Sequence, residues 1–83
     1  MPAYLAYMPA GADPDTVQVE GTVIALDECL WLIESRLTRS RLYHQIKWAL
    51  PVGAALLVAP LAGEPKFKAM APGAMKATRQ IFG

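Results

Sequence analysis

Eighty-three residues bound this chain to one domain, residues 1–83, and a net charge of +1 gives it no whole-molecule attraction to nucleic acid. With 54% hydrophobic and 18% charged residues, it holds more apolar side chain than a small monomer hides, because a chain of this size buries only about 60–65% of its unfolded surface. Composition therefore points to a homodimer or another protein partner, and the single cysteine, Cys29, excludes an internal disulfide and suggests a reducing, cytoplasmic compartment.

Residues 3–8, AYLAYM, read as a first strand that Pro9 stops, since proline supplies no ladder N–H. Prolines, a glycine and aspartates make 9–15 a loop. TVQVE (16–20) alternates, with Val17 and Val19 against Gln18 and Glu20, and this predicts a strand. Gly21 marks a bend or bulge, and TVIAL (22–26) resumes the strand. Asp27–Glu28 then turns the chain into CLWLIES (29–35), a buried strand. Residues 16–35 fit either one bent strand or a hairpin.

Thr38 is the expected N-cap of a main amphipathic helix over about 38–50. Leu42, Ile46, Ala49 and Leu50 recur at helical spacing as its buried stripe, with Tyr43 at the edge. Pro51 ends the helix and Gly53 turns the chain back. The opposite side carries Arg41, His44, Lys47 and Trp48. GAALLVAPL (53–61) reads as a strand buried on both sides. A strand–helix–strand unit of this size predicts two neighbouring parallel strands beneath one helix. Residues 61–76 read as a loop, with 65–70 a short edge strand. Residues 74–82 predict a short C-terminal helix anchored by Met75, Ala77 and Ile81 or Phe82. The class is α+β.

The most apolar window, Trp48–Gly63, is broken by Pro51 and Pro60 and falls short of the ~20 residues of a membrane span, so no membrane association is expected. Residues 1–10 lack the basic leader and long apolar core of a signal peptide. No acid is placed to orient His44 toward Ser35 or Ser40, and nothing pairs Cys29 with His44. No catalytic residue, metal ligand or cofactor is assigned. Charge is unevenly spread: after Glu34 the only acid is Glu64, whereas the bases fall from Arg36 onward. Arg36, Arg39, Arg41, Lys47, Lys66 and Lys68 form a candidate nucleic-acid surface. Solvated surface charge is the plain alternative.

The order strand, loop, strand, strand, helix, strand, tail resembles a reduced ferredoxin-like domain. More specifically, it resembles the small SinR-like relatives of the dimeric CRISPR-adaptation nuclease subunit. MPAYLAY resembles their first strand, LDECLWLIESRLT their LDST-W-type strand and Thr-capped helix, and AALLVAPLAGE their leucine–valine strand with its Gly-acid step. The tail resembles their closing helix. The likeness covers residues 1–8 and about 22–83. It implies a small ferredoxin-like sheet and a dimer. In the nuclease subunit it also implies a metal-binding Asp near the end of the first strand. Here Tyr7, Met8 and Pro9 occupy that region, and Asp13 and Asp15 lie further on in a turn-forming stretch. The helix between the first two strands is also missing.

Together these features predict a non-catalytic, dimeric interaction domain that binds a partner protein, such as a phage or mobile-element inhibitor of a host complex. The sheet face left bare by the lost helix is the expected docking surface. Trp48 or Trp31 is the anchor, with Arg41, His44 and Lys47 beside Trp48. A nucleic-acid-binding dimer and a metal-dependent nuclease are the alternatives.

Overall fold

The computed structural model describes residues 2–83. Its elements are β1 (Ala3–Tyr7), β2 (Thr22–Asp27), β3 (Leu30–Glu34), α1 (Arg39–Ala49), β4 (Leu57–Pro60) and α2 (Ala74–Phe82). The strands form one sheet in the order β2-β3-β1-β4, with every neighbouring pair antiparallel. The class is α+β, and the sheet has the ferredoxin-like strand order.

Because β1 runs antiparallel to both β3 and β4, those two strands are parallel, as the strand–helix–strand pattern requires. They are not neighbours, however: β1 lies between them. The expectation of adjacent strands is corrected by β1, whose backbone pairs with β3 on one side and β4 on the other, so the crossover skips one strand position. Residues 22–34 form a hairpin turning at Glu28–Cys29, with a register shift between Ala25 and Asp27. At Gly21 the backbone has φ +131, and an added Cβ would collide with the Glu34 carbonyl oxygen. Only glycine fits there.

Alternation along the strands splits the core in two. Tyr4, Ala6, Trp31 and Ile33 face Leu42 and Ile46 of α1. Ile24, Leu26 and Leu32 face Ala74 of α2, with Phe67, Ala77, Ile81 and Phe82 packed around them. The helices therefore cover opposite faces of the sheet. Two cores account for much of the apolar excess inside one chain.

The face expected to lie bare is filled. Met8 and Val17 are buried in the α1-side core, with Ala12 and Val19 packed against it, so the loop covers that face beside α1. Its backbone closes locally: the Thr16 and Val17 amides both donate to the Asp13 carbonyl at 2.9 Å. The Gln45 side chain on α1 accepts from the Glu20 amide at 2.9 Å. TVQVE is thus not a strand. Its alternation is real in burial, but turn bonds replace the ladder.

Thr38 caps α1 as expected, its hydroxyl accepting from the Arg41 amide at 3.2 Å. Leu42 and Ile46 are fully buried and Leu50 partly so, whereas Ala49 is exposed. After Pro51 the chain turns, the Ala54 amide donating to the Pro51 carbonyl. Only 57–60 joins the sheet, and β4 pairs with β1 alone. It is an edge strand, not one buried on both sides. The expected strand at 65–70 is irregular chain tied to β2 by one bond, Ala71 amide to Leu26 carbonyl at 2.8 Å. α2 occupies 74–82 as expected, but Met75 does not anchor it. The small residues Ala74 and Thr78 face the sheet, and Met75, one position round, is 45% exposed.

Candidate functional site

Burial of Leu42 and Ile46 fixes how α1 is rotated. It sends Arg41, His44, Lys47 and Trp48 to solvent. Arg41, His44 and Trp48, spaced by three and four, share one stripe, and Lys47 flanks it. The stripe is organised. The His44 and Trp48 ring centroids are 5.6 Å apart, with planes tilted by 33°. Tyr43 meets His44 edge-on at 5.3 Å, and the Lys47 ammonium lies 5.9 Å from the Tyr43 centroid, within the ~6 Å reach of a cation–π contact.

Trp48 is 80% exposed. Just past the helix, Val52 is wholly exposed. The chain then enters β4 at Leu57, 55% exposed, which pairs across the sheet with Tyr7, itself 44% exposed. Trp48 stands on the α1 side of the sheet, whereas Tyr7 and Leu57 share the α2-side face, since their neighbours Ala6 and Val58 belong to the α1-side core. No charged residue occurs between Lys47 and Glu64. Among the described residues the sheet has no strand beyond β4, so its outer edge carries unpaired backbone groups. Natural edges are usually blunted by lysine, a bulge or a cover. This one carries only Pro60, at its end.

Of the two tryptophans weighed as anchors, Trp31 is excluded, because it is 1% exposed in the α1-side core. The sequence-predicted nucleic-acid set is divided. Arg36, Arg39, Arg41 and Lys47 lie at the start of α1 or along it, whereas Lys66 and Lys68 belong to the tail packed on the opposite face. There they meet Lys76 and Arg79, which sequence reasoning left out. The available signal was the absence of any acid after Glu64.

Other polar residues have structural duties. Ser35 is buried, and its hydroxyl accepts from the Leu37 amide at 3.1 Å in the turn leading into α1. Asp13 accepts from the Asp15 amide at 2.9 Å, closing its own turn. Cys29 lies half-buried at the hairpin turn, its carbonyl accepting from the Met8 amide at 2.7 Å. Among the described residues no group of three or more His, Cys, Asp or Glu side chains gathers as a metal-holding set, and no helix is long and apolar enough to cross a membrane. A groove of about 780 Å³ opens beside the hairpin turn, with Leu26 and Met70 on its walls and Asp13, Asp27 and Glu28 as its charged residues.

No protein-family model, curated protein or solved structure matches the chain.

Proposed function

We propose that this chain is a non-catalytic interaction domain of the cytoplasm. Two copies pair along β4, and the exposed face of α1 docks a partner protein. One observation carries the reading: β4 is an unprotected sheet edge in a stretch with no charge, with Leu57 exposed on it and Trp48 exposed on the neighbouring α1. A neutral surface suits a symmetric pairing, because a two-fold interface sets the same patch of each copy against the other, so a patch of one charge would meet its like. α1 packs against β4, so joining two β4 edges brings the two α1 helices together and doubles the row of Arg41, His44, Lys47 and Trp48. The kinship with SinR-like proteins, and the role as a phage or mobile-element inhibitor of a host complex, rest on the sequence resemblance and belong to this proposal.

The test is sedimentation at micromolar concentration. The natural chain runs at twice its 9.0 kDa mass. Leu57→Lys, which places an ammonium group on the pairing edge of each copy, runs as a folded monomer. A natural chain that sediments as a clean monomer removes the dimer.

A further inference from the structure

The acid-free tail builds a second surface, on the sheet face away from α1. Phe67 packs into the core there, leaving Lys66 and Lys68 exposed on either side of it, and α2 presents Lys76 and Arg79 nearby. Two hollows open between tail and helix, sharing Phe67, Met75 and Arg79. The first, about 430 Å³, is lined by Lys68, Lys76 and Arg79 with no carboxylate. It also takes in Gly73, the N-cap of α2, which offers no side-chain cap to the helix amides. The second, about 290 Å³, has Phe67, Met75 and Pro65 as apolar walls, with Glu64, Lys66 and Thr78 as polar lining. Thr78 is 2% exposed, and its hydroxyl is the one buried side-chain polar atom among the described residues without a hydrogen-bond partner. Such an orphan costs stability unless a partner arrives.

We propose that the double hollow binds a nucleotide-like ligand, a phosphate ester on a compact hydrogen-bonding body. The phosphate sits among Lys68, Lys76 and Arg79, which donate charge-assisted hydrogen bonds, and the uncapped amides of α2 add donors. The body lies against Phe67 and Met75. There the Thr78 hydroxyl and the Glu64 carboxylate serve its polar groups. The carboxylates of the groove beside the hairpin turn, Asp13, Asp27 and Glu28, repel a phosphate from the larger opening.

Isothermal titration of the full chain with adenosine monophosphate, inorganic phosphate and adenosine tests this. The monophosphate is expected to bind most tightly, with phosphate weaker and adenosine weakest. The double variant Lys68→Ala/Lys76→Ala is expected to lose about tenfold or more in monophosphate affinity with an unchanged melting temperature, since both side chains are exposed. Thr78→Val is expected to weaken the monophosphate and leave inorganic phosphate unaffected. The Leu57→Lys monomer is expected to bind as the natural chain does, which separates this site from the β4 pairing. No monophosphate heat at millimolar concentration, equal affinity in the double variant, or heat from an oligonucleotide alone would overturn the proposal.

Discussion

Replacing Trp48 by alanine separates a docking residue from a packing residue. Trp48 is 80% exposed, so about a fifth of a side chain of roughly 250 Å² is covered, or about 50 Å². At ~25 cal/mol per Å² that burial contributes about 1 kcal/mol. Alanine recovers about half of it through its higher helix propensity. The folded monomer is therefore expected to lose only about 0.5–1 kcal/mol, a fall of roughly 2–8 °C in melting temperature for a domain of this size. In the proposed dimer the two α1 helices also meet beside the β4 seam, and an aromatic anchor at such a margin loses far more in association, about 2 kcal/mol or above, or roughly thirtyfold in the dissociation constant. Two measurements are needed, because dimerisation itself raises the melting temperature by mass action. Thermal unfolding at a concentration low enough for monomer reads the packing term. Sedimentation across a concentration series reads the association term. A monomer destabilised by more than about 2 kcal/mol, or an association constant that does not move, refutes the assignment of Trp48 to the interface.

Two further substitutions probe the scaffold. Ile46→Ala removes a fully buried side chain from the α1-side core and should cost about 2–5 kcal/mol in urea unfolding; a loss near zero would mean that α1 does not seat as described. Gly21→Ala forces a Cβ against the Glu34 carbonyl at a backbone angle that disfavours it, so the β2–β3 hairpin should be destabilised by more than ~1 kcal/mol, and full stability would contradict the close approach.

Local pattern made much of the fold legible. Thr38, the Leu42–Ile46 stripe and Pro51 bracket α1 through hydroxyl geometry, helical spacing and a missing N–H, all of which act within a few residues. The bounds of α2 were legible for similar reasons. Pairing was not. That β1 wedges between β3 and β4 depends on contacts tens of residues apart, which no short window encodes. TVQVE misled because period-two burial needs only an inward valine at every second position, and Val17 and Val19 achieve it from a loop. The exposed stripe of α1 followed from its buried one, so Arg41, His44, Lys47 and Trp48 emerged together. Trp31 reads both as part of a buried strand and as an anchor, because alternation gives a strand two faces without saying what covers either. Lys66 and Lys68 join Lys76 and Arg79 only once the tail folds back across the sheet.

Coverage of both sheet faces changes what the apolar composition means. A two-layer chain with 54% hydrophobic residues would have to hide one face against a second molecule. Here α1 with its loop closes one face, and α2 with the tail closes the other. The case for self-association therefore moves from the total of apolar residues to where the uncovered ones lie. Tyr7 and Leu57 are exposed on the α2-side face at the β4 edge, Trp48 and Val52 on and just past α1, and Met75 on α2. That edge is uncharged, so pairing through it is driven by apolar burial and backbone hydrogen bonds, and moderate salt leaves it nearly unchanged. The cationic hollow on α2 depends on charge and weakens as salt screens it. One salt series on one sample distinguishes the two surfaces, since the sedimenting mass should hold while monophosphate affinity falls.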